Sequence, residues 1–474
     1  MDKLLQEFLE FEKDEQLFKR KYLGVEYWQS SRLSISRNLQ ERESKVSQYP
    51  AMQEKRFLSV LKRIKGIYFD VINWISLGTC DILYFDKQAY RNIDGVEVDS
   101  YFDYWKFQDS YSIKRCYYCS GIDTKGFRGK GIGVTLPDFA HDVAAVFHQF
   151  FNKTRDKKED KEIIRICNRL NDKFNSSILF EKVVNRISDY VIIEKVYHKF
   201  YYRLIKKLRP KAIFVVCHYS ETLFPLYNVA KQCNIPVIEL QHGLTCFHDA
   251  YNYEDVSVAG KSLPDYFFSY GEFWGKYVNL PRNMKTIVVG NPYLENQKQK
   301  YANVLPDENA IVFYSDEITG KKLAEFAVKF VEKNINKGYK IYFKFHPSEK
   351  NYAKEYLMLI DNSKICLLPL NTGVYEVLAM AKHHVTVMST VLYEATIYDV
   401  ERYVWKLEGM SHYLQPLVDI EVAKSFETLD EFEALLLVDS KNNHEISKEM
   451  WADNATERGQ NALKEILDGK NHLI

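Results

Sequence analysis

No apolar run in this sequence reaches the roughly 18–20 residues that cross a bilayer, so a soluble chain, or one with at most peripheral membrane contact, is expected. Charge of one sign is missing too, because 65 basic and 64 acidic side chains nearly cancel. That excludes the broad positive field of a nucleic-acid-binding chain. Proline is scarce, at 12 residues, and the composition is not that of a disordered chain. Cysteine is thinly spread. Of eight cysteines only Cys116 and Cys119 form a CxxC, and no second pair or His-x-His follows, so no metal site is expected. Cys217 and Cys366 lie in apolar runs and read as core, and reduced thiols imply the cytoplasm. The opening MDKLLQEFLEFEKDEQLFKR lacks the basic and apolar regions of a signal peptide. The GFRGKGIG within Gly121–Gly133 matches neither the Walker pattern nor a GxGxxG that opens a helix. It reads as a basic surface loop, or as a loop that contacts an acceptor.

What the chain does have is length and apolar material. With 474 residues and 46% hydrophobic side chains it can bury two cores. Fifteen per cent of its residues are aromatic, which suits semi-polar grooves. The pattern predicts an N-terminal domain over 1–290, a second over 291–440, and a C-terminal segment over 441–474 that crosses back to the first as an amphipathic helix, Ile446–Leu467. Residues 1–75 read as a helical layer, with Leu4, Leu5, Phe8, Leu9, Phe11 and Phe18 spaced for one apolar face.

Short apolar runs then alternate with helical patterns, the mark of a doubly wound parallel sheet. In the first domain the runs are Asp81–Phe85, Ala212–Cys217, Val237–Leu240, Tyr266–Tyr270 and Thr286–Val289. Ser220 is placed to cap a helix over Thr222–Cys233. Glu295–Asn309 reads as a linker. Beyond it come Ile311–Tyr314, a helix over Lys321–Asn334, Lys340–Phe345, Ile365–Leu368, a helix over Val374–Lys382, His384–Met388 and a helix over Val391–Asp399.

Ligands of such sheets sit beyond the carboxyl ends of the strands. Several polar residues fall there: His242 within Gln241-His242-Gly243, His346-Pro347, Glu376, and Ser389-Thr390. Each has a structural reading as well. His242 reads also as a satisfied turn histidine, Glu376 as an exposed helix residue and Ser389-Thr390 as a helix cap.

The ordered set of motifs resembles the bacterial GT-B transferases that use CMP-activated sugars, namely the sialyltransferases, polysialyltransferases and Kdo transferases of capsule and lipopolysaccharide synthesis. His346-Pro347, Glu376 within LPLNTGVYEVL and Ser389-Thr390 within MSTVLYEA carry the resemblance, over roughly residues 210–400. It implies an α/β chain of GT-B class, with two Rossmann-like domains facing a cleft. The N-terminal domain would bind a glycan or glycolipid acceptor. The C-terminal one would bind a nucleotide-sugar donor, CMP-linked, with no other cofactor. The sialyltransferases carry an acidic-acidic-Gly motif where this chain has Gln241-His242-Gly243. A His before Gly there is similar instead to the CDP-dependent polyol-phosphate polymerases of teichoic acid synthesis, so a CDP-polyol phosphotransferase is the alternative enzyme. A non-catalytic glycan- or nucleotide-binding subunit and a sugar-nucleotide epimerase of the same fold stay open beside it.

The chemistry suits the residues. CMP leaves with negative charge on its phosphate, and His346, Ser389, Thr390 and helix-start N–H groups can donate to it. Pro347 fixes the strand exit, and Glu376 can accept from ribose hydroxyls, with Glu394 as a second candidate. An imidazole with an ordinary pKa of roughly 6.5 is a suitable general base at neutral pH, which assigns that part to His242. Glu239 reads as its orienting partner or as a ladder residue, His218 and Glu221 as acceptor-pocket residues, and Asp316 and Glu317 as an alternative acidic pair. No DxD is placed as a metal site.

Overall fold

The computed structural model describes residues 3–44, 66–68, 70–86, 90–93, 96–117, 131–133, 135–151, 155–246, 248–254, 262–316, 318–346, 349, 364–407, 412–438 and 444–469. Its contacts divide the chain into two units, Met1–Pro292 with Asn454–Ile474, and Tyr293–Asp453.

The large sheet of the first unit has seven strands: β1 Ile82–Asp86, β2 Ile113–Tyr117, β3 Gly131–Gly133, β4 Ala212–Val216, β5 Val237–Leu240, β6 Tyr266–Ser269 and β7 Lys285–Val288. They lie side by side in the order β7-β6-β5-β4-β1-β2-β3, and every pairing is parallel. A parallel sheet needs cover on both faces, so its strands carry continuous apolar runs. Along β1, Leu83 and Phe85 join one core with Ile213 and Val215, under the helices Phe180–Leu208 and Phe224–Gln232. Ile82 and Tyr84 face the other side with Phe214, Phe102, Trp105 and Phe107. That second core is closed by Leu463 and Ile466 of the helix Ala455–Leu467, whose Gly459 lies against the Trp105 ring.

The second unit has β8 Asp307–Tyr314, β9 Lys340–Lys344, β10 Ile365–Leu368, β11 Ala381–Thr386, β12 Glu401–Trp405 and β13 Lys424–Phe426. Their order is β10-β9-β8-β11-β12-β13, again all parallel. Counted from the first strand of each sheet, the second runs 3-2-1-4-5-6, the doubly wound order of a Rossmann sheet, and the first runs the same way with a seventh strand added at one edge. The order reverses between β1 and β4 in one unit and between β8 and β11 in the other. The α/β class read from the sequence, with two Rossmann-like units, is the one observed.

Several boundaries move. Glu295–Asn309 is not a linker, since a helix spans Pro292–Lys300 and β8 begins at Asp307. The helix at Val374 ends at Met380, and Ala381 passes directly into β11, two residues before the expected helix end. Val391–Asp399 is a four-residue helix, Val391–Glu394, followed by a 3-10 turn, Ala395–Ile397. Ile446–Leu467 is two helices, His444–Met450 and Ala455–Leu467, parted at Asn454, which adopts the left-handed conformation. Gly131–Gly133 of the supposed loop is a strand; the rest of that loop, with Cys119, lies outside the described residues. In the N-terminal layer Leu5, Phe8, Leu9 and Phe11 are buried, as the spacing predicts. The unforeseen feature there is a fully buried pair, Glu12 with Arg32, whose guanidinium donates to the carbonyls of Asp249 and Asn252. Among the described residues no helix is long and apolar enough to cross a membrane.

Candidate functional sites at the strand ends

In the first unit the strand ends of β4 and β5 gather Cys217, His218, Tyr219, Glu239 and His242. Glu239 is the inward residue of β5 and is wholly buried. Its carboxylate accepts from the His218 backbone N–H at 3.1 Å and the Tyr251 hydroxyl at 2.9 Å, and meets His218 Nδ1 at 2.7 Å. The other ring nitrogen of His218 donates to the Ala250 carbonyl at 3.1 Å. Burial pushes the Glu239 carboxyl up, but the His218 charge and hydrogen bonds outweigh it and hold it below its ordinary value. Glu239 therefore fixes His218 and the 249–251 turn, and its hydrogen bonds go to them rather than to His242.

His242 is half-buried just past β5. Its Nε2 lies 2.9 Å from Cys217 Sγ and 3.1 Å from the Tyr219 hydroxyl. The residues beside it are pinned. Gln241 donates to the Gly243 carbonyl at 3.0 Å and accepts from the Tyr270 N–H at 2.8 Å, tying the turn to the end of β6. Cys217 holds a left-handed φ of 63°, a conformation that costs a side-chain-bearing residue about 1–2 kcal/mol and is kept only where neighbours enforce it. Cys217 is buried, as read from the sequence, and lies at the strand end beside His242, whereas Cys366, read as core, is exposed. Ser220 caps no helix through its side chain. It precedes a 3-10 turn, Glu221–Leu223, and Glu221 is ion-paired with Arg186.

The second unit assembles its own edge. Glu349, wholly buried, accepts from the His346 N–H at 2.6 Å and from the Ser315 hydroxyl at 2.8 Å. It thereby ties the end of β9 to the end of β8. On the other side of β8, Thr386 of β11 donates to the Tyr314 carbonyl at 2.8 Å and accepts from the Ser389 N–H at 3.2 Å. Two separate sets of hydrogen bonds, joined only through the adjacent residues Tyr314 and Ser315 at the end of β8, thus fasten the main chain at His346 and at Ser389. The His346 side chain is exposed at this edge, Thr390 is exposed and Ser389 half-buried. Pro347 lies outside the described residues, and the observed fastening of the strand exit is Glu349. Two residues before His346, Lys344 is nearly buried, and burial pulls its ammonium below its ordinary value.

Glu376 is exposed on the first turn of the helix Val374–Met380, next to the 369–372 turn that follows β10. Asp316 accepts from the Ile318 and Thr319 N–H groups at 2.9 and 2.8 Å, so it organises the turn into the helix Gly320–Lys333, and Glu317 lies outside the described residues. A helix of four residues after Thr390 carries little dipole, so the donors there are the hydroxyls and turn amides rather than a helix end. Cys217, Tyr219, Glu349 and Thr386 were missed in the sequence. The visible signal was polar residues directly after apolar runs. No group of three or more His, Cys, Asp or Glu among the described residues is placed to hold a metal ion.

No protein-family model and no curated protein sequence matches the chain. Solved structures share its outline at low identity. A Staphylococcus aureus MnaA–UDP co-structure is 14% identical, covering 64% of this chain and 87% of its own, at a TM-score of 0.41. The UDP-GlcNAc 2-epimerase of Methanocaldococcus jannaschii is 14% identical over 81% of this chain and 98% of its own, at 0.42. Acinetobacter baumannii MurG is 12% identical over 58% and 78%, at 0.37. Likeness at this level carries no conclusion about activity, which has to come from the strand-end residues themselves.

Proposed function

We propose that this protein is a glycosyltransferase that moves a sugar from a CMP-activated donor, a sialic acid, another nonulosonic acid or Kdo, to a surface-glycan or glycolipid acceptor. The observation that supports this most is the pair of hydrogen-bonded ties that fasten the ends of β9 and β11 to the end of β8. They fix the main chain at His346 and Ser389, and in this reading the imidazole of His346 and the hydroxyls of Ser389 and Thr390 serve the edge where doubly wound sheets receive nucleotides. These groups are donors, and a departing CMP phosphate is an acceptor whose charge grows as the bond to the sugar breaks. Glu376 takes the ribose hydroxyls in this reading. In the first unit His242 takes the proton of the attacking hydroxyl, which suits an imidazole near neutral pH. No residue in the scheme calls for a metal. The work is done in the cytoplasm, at the inner face of the membrane if the acceptor is a lipid-linked glycan.

The test is a transfer assay with CMP-sialic acid and CMP-Kdo against a panel of glycan acceptors, following CMP release and product mass. CMP release that depends on acceptor supports the proposal. Consumption of CDP-glycerol or CDP-ribitol instead, with a phosphodiester product, would return the chain to the polyol-phosphate reading that Gln241-His242-Gly243 suggests. Interconversion of a UDP-sugar without an acceptor would make it an epimerase.

A further inference from the structure

The helix over 66–76, which leads into β1, is apolar on two opposite sides. Its inward side docks it. Asp70 is buried, and Trp74 and Leu77, just past the helix end, pack on the core beneath the helix Phe180–Leu208. The Trp74 ring lies 6.1 Å from the Phe200 ring, and Lys207 Nζ is 5.8 Å from the Trp74 centroid. The two helices are therefore neighbours over one face of the sheet. On the other side, at the i, i+3, i+4 and i+7 spacing of one helix face, stand Tyr68, Val71, Ile72 and Ile75. They are 61, 44, 42 and 75% exposed. A helix face turned to water ordinarily carries polar and charged side chains. This row carries no charge, and exposed apolar rows of this kind mark a surface that meets a partner or a membrane.

The neighbouring helix supplies the charge. Tyr197, Tyr201, Leu204 and Leu208 of Phe180–Leu208 are buried, whereas Lys195, Lys199, Tyr202 and Lys206, on the opposite face, are exposed. Arg203 and Arg209 are exposed beside that row, and no Asp or Glu occurs from Lys195 to Arg209. Among the described residues none of Lys195, Lys199, Arg203 and Lys206 is ion-paired with a carboxylate. Lys206 instead lies with its Nζ 5.5 Å from the centroid of the Tyr202 ring.

We propose that this face, the apolar row of the helix over 66–76 beside the lysine row of Phe180–Leu208, docks on a bilayer that contains anionic phospholipid. The apolar side chains enter the boundary between headgroups and acyl chains, as those of interfacial helices do. The lysines meet the negative potential of the lipid surface, at about fivefold in binding for each. Tyr68 and Tyr202 have the part-apolar, part-polar rings that favour that boundary. A second copy of the chain is the poorer occupant. Two copies joined about a two-fold axis through this face would bring their lysine rows together with no carboxylate to answer them. The inference holds whatever the donor, since docking uses none of the strand-end residues.

Vesicle flotation of the full chain tests it, with vesicles of phosphatidylglycerol and phosphatidylcholine in equal parts set against phosphatidylcholine alone. The protein should float with the mixed vesicles and stay behind with the neutral ones. Salt at about 1 M, where the Debye length is about 3 Å, should release most of it. Lys199→Ala combined with Lys206→Ala should weaken binding about 30-fold, the product of two fivefold contributions. Ile72→Ser combined with Ile75→Ser should weaken it by at least about tenfold through lost apolar burial. All four residues are exposed, so both variants should keep the wild-type urea midpoint, which separates lost binding from lost folding. Wild-type protein that does not float, or flotation that ignores either pair of substitutions, overturns the proposal. So does a dimer in sedimentation that Ile72→Ser with Ile75→Ser dissolves while vesicles bind no protein, for the face would then belong to a second copy.

Discussion

The carboxylate of Glu349, with no exposed surface, accepts the backbone N–H of His346 at 2.6 Å and the Ser315 hydroxyl at 2.8 Å. The bond acts on the main chain of His346, leaving its imidazole exposed. This is how a short strand end can hold a donor in a fixed place without using up its side chain.

Glu349→Ala should therefore weaken the fold and the site together. Two donors lose their acceptor, at about 1–3 kcal/mol for each that stays buried and unpaired. Urea unfolding measures the loss. His346→Ala should leave unfolding nearly unchanged and lower turnover on the order of 10²–10³, as for one donor to a developing oxyanion. Should His346→Ala turn over normally in a folded protein, the histidine is only a turn residue.

His242→Asn should retain CMP binding, because the base acts on the acceptor, while turnover falls by about 10²–10⁴ for lost proton transfer. The pair of measurements separates the two units' roles. Equal loss of binding and turnover would contradict that division.

Strands with a buried environment on both faces were the most legible part of the sequence. Val237–Leu240 coincides with β5, all four residues of which are buried, and Ile365–Leu368 with β10, an edge strand that is apolar in sequence though Cys366 is exposed. The strands β2, β3, β12 and β13 toward the sheet ends were missed, since Lys114, Arg115, the glycines at 131 and 133, Glu401, Arg402 and Lys424 interrupt any apolar run. β11 was placed late because Ala381-Lys382 continue the helical pattern, and only the pairing of Asp307 with Ala381 sets the start. The strand-end histidines could be read from position. Their partners could not: Glu349 reaches Ser315 across 34 residues, and Tyr219 reaches His242 across 23. Local sequence carries no trace of contacts at such separations.

Asp99 gives the first unit a pH signature. Burial, and then the charge of Asp86, push its carboxyl up to about 6 from an ordinary 3.8. The folded state thus binds a proton between those values that the unfolded chain has released. Stability from this group is present at low pH and is lost as pH rises from about 4 to about 6, by up to about 1.4 kcal/mol per unit. Asn cannot ionise, so the stability of Asp99→Asn relative to wild type should improve from pH 4.5 to pH 7. Urea midpoints at the two pH values measure it, and a constant difference would mean that Asp99 is ionised throughout.

Gly459→Ala tests the closure of the first core. An added Cβ would come within 2.3 Å of the Trp105 ring. Alanine favours a helix by about 1 kcal/mol over glycine, while overpacking a filled core costs about 1–3 kcal/mol. The clash should win, and Gly459→Ala should unfold at lower urea. A gain in stability would show that Trp105 yields freely.

Nucleotide binding bears most directly on the central claim that the β8/β11 edge receives a cytidine nucleotide. The measurement is a thermal and isothermal titration panel of CMP, CDP, UDP and GDP on the full chain, repeated on His346→Ala. CMP and CDP should protect the wild type, by about 2.7 kcal/mol at a hundred times the dissociation constant, and CMP should bind His346→Ala more weakly. Protection by UDP or GDP with none from CMP or CDP would contradict it.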